Sequence, residues 1–106
     1  MNKKLIVNGR IFNICIIKAK NGCFLLVYEG EEIKLGSTAL SVRIDNRANS
    51  SIIIPSKFGD LYSRILSESL SMIIDGIVIA SLHTLSPIDA QIVRSLLEEI
   101  KKLCKA

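Results

Sequence analysis

Along the first half of the chain apolar residues recur with the period of a strand, and along the second half with the period of a helix. Leu5-Ile6-Val7, then Asn8-Gly9, then residues 10–19 predict a β-hairpin, because Asn-Gly accepts the positive φ angles of a two-residue type I′ turn. Lys20-Asn21-Gly22 predicts a second hairpin, with a three-residue loop and Gly22 left-handed. That register sets Ala19 opposite Cys23, Ile17 opposite Leu25 and Cys15 opposite Val27. Residues 32–35 and 38–44 continue the strand pattern around Gly36, a bend or bulge. The polar stretch from Asp45 to Ser51 is expected to be a mobile loop, and residues 51–54 one more strand closed by Pro55.

Beyond Pro55 the spacing changes to threes and fours. Phe58, Leu61, Tyr62, Ile65, Leu66, Met72 and Ile73 predict a helix with Ser56 as cap and Asp75-Gly76 as its end. Ser63, Ser67 and Ser71 are expected on its solvated side. Residues 77–82 form a run that is apolar apart from Ser81, which is the mark of a central strand. A last helix has Ser86 as cap, Pro87 at its first position and Asp89 at its third; Ile88, Ile92, Val93, Leu96, Leu97, Ile100 and Leu103 form its apolar stripe. Five strands, a helix, a strand and a helix predict one domain over residues 1–106. It is an α+β two-layer sandwich, a mainly antiparallel sheet of about six strands with two helices packed on one face.

Both faces of the middle strands are apolar. On one parity stand Ile11, Cys15, Ile17, Leu25 and Val27, and on the other Phe12, Ile14, Ile16, Phe24, Leu26 and Tyr28. A sheet with one wet face alternates, so near-continuous apolarity implies cover on both sides, and two helices can cover only one. A second copy related by a two-fold axis is the simplest cover, which predicts a homodimer with Ile14, Ile16, Leu26 and Tyr28 as its interface. A sheet curled strongly over itself is the alternative.

Composition adds little to this picture and removes much. Of 106 residues 49% are hydrophobic and 23% charged, which is enough apolar area to fold, but aromatic residues are 5% and Trp is absent, so the core is aliphatic. The longest apolar runs are broken by Pro55, Asp75 and Gly76, short of a membrane span, and the basic start lacks a signal-peptide core; a cytoplasmic protein without membrane contact is expected. Three cysteines, an odd number, fit buried thiols in a reducing compartment. There is no CxxC, and the single His83 is far from any cysteine in sequence, so no metal is expected.

A formal charge of +4 raises the alternative of a small basic nucleic-acid-binding protein. Against it, the lysines are interspersed with Glu29, Glu31, Glu32, Glu98 and Glu99, and no aromatic residues interleave with them as stacking platforms. For catalysis the natural probe is His83 with Ser81, Ser86 or a cysteine, but a strand-end histidine more often caps a loop. Asp45, Asp60, Asp75 and Asp89 sit at loop, turn or cap positions, and the glycines form no phosphate-binding motif. No enzyme and no cofactor is expected, and no catalytic, cofactor or metal residue is assigned.

With the hairpin at Val7-Asn8-Gly9, the apolar hairpin from Phe12 to Val27, the segment Ile33-Lys34-Leu35-Gly36-Ser37-Thr38, the run Ile52-Ile53-Ile54 and a closing helix that ends near Cys104, the sequence resembles the proteasome assembly chaperone family, its third member in particular, over nearly its full length. The resemblance implies a non-enzymatic two-layer domain that dimerises and helps proteasome α-subunits assemble into a ring, with those subunits or a second assembly chaperone as partners. It maps no functional residue. The chain ends Leu103-Cys104-Lys105-Ala106, without the hydrophobic-Tyr-X tail by which some proteasome partners enter α-ring pockets. High Ile and Lys content at a minimal length suggests a thermophilic, archaeal-type homologue that pairs with itself.

Overall fold

The computed structural model describes residues 1–57, 59–74 and 76–105. Its elements are β1 (Asn2–Val7), β2 (Arg10–Ala19), β3 (Gly22–Glu29), β4 (Ser37–Ile44), β5 (Arg47–Ile54), α1 (Asp60–Ile73), β6 (Ile77–His83) and α2 (Ala90–Lys105). The six strands form one sheet in the order β1-β2-β3-β6-β4-β5. Every pairing is antiparallel except β3 with β6. Both helices lie on the same face: Leu66 and Leu70 of α1 and Ile92, Val93, Leu96 and Ile100 of α2 share a buried cluster with Phe12, Ile14, Ile16, Leu25, Val27, Val78 and Leu82. This is the α+β two-layer arrangement that the element order predicts.

The first turn forms as its dipeptide dictates, with Val7 paired to Arg10 and φ of 51° at Asn8 and 76° at Gly9. The second does not. Ala19 pairs with Gly22, so the loop holds two residues, and Ile16 stands opposite Leu25, Cys15 opposite Leu26 and Ile14 opposite Val27. Gly22 is part of β3, and β6 comes too close to it for any side chain: a Cβ there would clash with the Ile77 carbonyl oxygen. A shift of one residue moves a strand's side chains to the other face.

The expected mobile loop after Ile44 is a tight hairpin. Asp45 and Asn46 take φ of 52° and 65°, Ile44 pairs with Arg47, and β5 runs back from Arg47. Asp and Asn tolerate the left-handed region through local hydrogen bonds, so they replace Asn-Gly here. Residues 32–35, in contrast, make no strand. They belong to the crossover from β3 past the end of β6 to β4, where the Gly36 amide donates to Ser81 Oγ at 3.0 Å.

The helix α1 is rotated from its expected orientation. Ser63, Ser67 and Ser71 are fully buried, while Leu61, Met72 and Ile73 are exposed. Each serine hydroxyl is satisfied: Ser63 donates to the Asp60 carbonyl, Ser67 to that of Arg64 and Ser71 to that of Glu68. Ser63 and Ser71 also bond Ser37 and Ser41 of β4 at 2.8 and 3.0 Å. Small residues with internally satisfied hydroxyls let the helix lie close on the strand at little polar cost. Ser67→Leu is therefore expected to destabilise by about 1 to 3 kcal/mol through overpacking. On a solvated face leucine, the better helix former, would be neutral or stabilising; urea unfolding of the variant decides between the two.

The helix ends also differ from the predicted ones. Gly59 is the N-cap of α1, and Ser56 instead donates its amide to Asp60 Oδ1. The expected contributions of Phe58 and Asp75 lie outside the described residues. In α2, Asp89 rather than Ser86 is the cap, accepting the Ile92 amide at 3.0 Å. Ser86 and Pro87 precede the helix, and their carbonyls accept Arg10 Nη2 and Nη1, both at 2.9 Å. Arg10 also donates through Nε and Nη2 to both Glu29 oxygens at 2.8 and 2.7 Å, and Glu29 Oε1 accepts the Leu85 amide at 2.8 Å. One ion pair thus ties β2 and β3 to the segment entering α2.

Candidate functional site

The face of the sheet away from the helices carries the side chains that no element of this chain covers. Phe24, Leu26 and Tyr28 of β3 alternate with the core residues and point to it, as do Cys15 and Ile17 of β2, Ile77 and Ile79 of β6 and Leu40, Val42 and Ile44 of β4. Ile17 is 62% exposed, Ile44 55% and Ile77 42%. Leu26, Tyr28, Ile79 and Leu40, at the centre, are half-buried by their neighbours alone.

The polar groups of this face are largely used within the chain. Ser81 accepts the Gly36 amide, Thr38 Oγ1 donates to the Gly36 carbonyl at 3.0 Å, and Asn13 Nδ2 donates to the Gly30 carbonyl at 2.7 Å. What is left facing outward is chiefly hydrocarbon. Near the β1 edge the surface dips into a hollow of about 410 Å³ walled by Lys4, Cys15, Leu26, Tyr28 and Ile33. Ile33, on the crossover, forms a 70% exposed rim. A contiguous apolar face of this kind marks an interaction surface.

The expected interface quartet does not share this face. Leu26 and Tyr28 lie on it, but Ile14 and Ile16 are 1% and 2% exposed beneath the helices. The one-residue shift in the β2–β3 register is the cause: it places Cys15 and Ile17 beside Leu26 and Phe24. Alternation in β2 marked the two parities, and only the observed two-residue turn decides which parity of β3 each one joins.

The residues weighed for catalysis are not brought together. His83 closes β6 beside Tyr28, and among the described residues its Nε2 has no hydrogen-bond partner. The Ser81 hydroxyl holds Gly36, so it does not meet that imidazole as a nucleophile. Burial pushes the Cys23 thiol up to about 11 and the Cys104 thiol above its ordinary value, keeping both protonated and poorly nucleophilic at neutral pH. Cys15 is half-exposed on the open face. Among the described residues no three His, Cys, Asp or Glu side chains are placed to hold a metal ion, and no helix is long and apolar enough to cross a membrane.

No family model matches the sequence, and no curated protein does. Among solved structures the chain is similar to one from the crystal structure of a chaperone complex for yeast 20S proteasome assembly, with a TM-score of 0.72 over 99% of this chain and 93% of the other. The two are 12% identical, so the likeness is one of fold.

Proposed function

We propose that this chain is a non-enzymatic interaction module that pairs with a second copy through its open sheet face and serves as an assembly chaperone for the ring of proteasome α-subunits. The uncovered apolar face carries this reading. Six strands about 4.8 Å apart and roughly 26 Å long present about 750 Å², close to the roughly 800 Å² that each partner of a stable complex buries. The aliphatic centres of two such faces can meet with the Ser81, Thr38 and Asn13 side chains already bonded within each chain. Leu26 and Tyr28 stand at the centre of this interface and Ile14 and Ile16 leave it. The fold shared with a chain of the yeast chaperone complex supports a protein client over a nucleic acid, and with it a cytoplasmic site of action. A second copy related by a two-fold axis is the simplest cover for a face that the chain's own helices leave open.

Sedimentation of the pure protein at micromolar concentration is expected to give a dimer, and a tagged form is expected to retain proteasome α-subunits from its own cells. A monomer would end the pairing. Co-purification of a different small α+β protein in equal amount would replace the second copy by a second assembly chaperone. Retention of no α-subunit by the dimer would remove the chaperone assignment while leaving the pairing.

A further inference from the structure

On the opposite side of the molecule, between α1 and α2, lies a second hollow, of about 250 Å³, lined by Tyr62, Ile65, Ala90, Val93, Arg94 and Leu97. It arises because the helices serve different halves of the sheet: α1 packs on β4, β5 and β6, and α2 lies along the β1 side, so the two touch only sparingly. Its walls are apolar, and Arg94 is exposed at its rim. No ion pair or hydrogen bond of the Arg94 side chain is formed with the described residues, although Glu98 stands one turn further along α2. The neighbouring turn of α1 adds Leu61, which is 63% exposed.

From this arrangement we infer that the groove between the helices is a docking site for a protein segment that presents a leucine-sized side chain next to a carboxylate. The apolar walls take the side chain, and Arg94, whose planar guanidinium donates two parallel hydrogen bonds to a carboxylate, fixes its neighbour. Charge complementarity selects this occupant over a purely apolar one, since an uncharged segment would leave the guanidinium unused at the edge of the contact. The site faces away from the open sheet face, so a paired molecule would carry two such grooves free for a client. The inference rests on the reading of the chain as a binding module, but not on pairing or on the identity of the client.

N-acetyl-leucine tests it on the full chain, with N-acetyl-leucinamide as the uncharged control, by NMR titration of the methyl groups of Ile65, Val93 and Leu97. A ligand with about twelve non-hydrogen atoms at ordinary per-atom strength gives a dissociation constant of roughly 2 mM. The carboxylate form is expected to bind about threefold more tightly than the amide, and Arg94→Gln, a surface change that leaves the melting temperature unchanged, is expected to erase that difference. Equal binding of acid and amide overturns the inference. So does a preference that survives Arg94→Gln, a response confined to Leu26 and Ile79 on the sheet face, or no saturable shift. None of these outcomes bears on the dimer, which sedimentation reads separately.

Discussion

Arg10→Met is expected to destabilise the fold by about 1 to 3 kcal/mol, the cost of leaving a buried carboxylate without the charged partner of a half-buried pair. The Glu29 carboxylate is 8% exposed, and without Arg10 it keeps, among the described residues, the Leu85 amide alone. The Ser86 and Pro87 carbonyls lose their donor as well, so the entry to α2 loosens. Methionine keeps an aliphatic stem but removes the guanidinium, and with it the charge, its four hydrogen bonds and its place over the Phe12 ring, 5.5 Å from the centroid. The pH dependence gives an independent readout. In the native protein the hydrogen bond from Arg10, aided by the Leu85 amide, holds the Glu29 carboxyl below its ordinary value of 4.5, against the opposing effect of burial. A depressed folded value contributes stability that is complete above 4.5 and is lost as pH falls through the lower, folded value. In the variant the depressing bond from Arg10 is gone while the opposing effect of burial stays, so this loss on acidification shrinks. Urea midpoints should show the largest gap near neutrality and a narrowing gap on acidification. A deficit under about 1 kcal/mol at neutral pH, or one that widens in acid, would contradict this account.

Leu26→Glu is expected to raise the dissociation constant of the proposed dimer by at least about 100-fold while leaving the monomer folded. Leu26 is on a central strand and points to the open face, so in the dimer a carboxylate there would be trapped in the middle of an aliphatic contact. In a monomer it would be wet. Its neighbour Leu25 is fully buried under the helices, and Leu25→Ala is expected to cost about 2 to 5 kcal/mol without acting on the contact between copies. The two substitutions, adjacent in sequence, therefore separate assembly from folding. Sedimentation of Leu26→Glu as a stable dimer would remove the open face as the pairing surface.

What could be read from the sequence was the set of elements and the excess of apolar side chains. Local chemistry drives both: Asn8-Gly9 makes its turn wherever it is placed, and the stripe through Ile92, Leu96 and Ile100 can only be a helix face. The polar stretch at Asp45-Asn46 was harder to read, because its turn depends on left-handed conformations that Asp and Asn adopt only when two strands close around them. The serines of α1 were misplaced for a related reason. A hydroxyl that bonds its own helix backbone is compatible with burial, and whether it is buried depends on the small residues of β4 that face it.

The open face and the helix groove stood at different distances from the sequence. That some apolar face must lack cover followed from counting sides, since two helices cannot shelter both surfaces of six strands. Which residues form it is set by the pairing of Ala19 with Gly22, which fixes the parity of β3 against β2 and which leaves Gly22 against the backbone of β6, more than fifty positions away in the chain. The sequence by itself therefore determined the order and type of the elements, the two-layer class and the surplus of hydrophobic surface, because these depend on each residue's own preferences and on periodicity. The strand order, the register and the placement of Arg94 beside an apolar groove were decided only by tertiary structure, because each depends on which distant backbones come within hydrogen-bond reach.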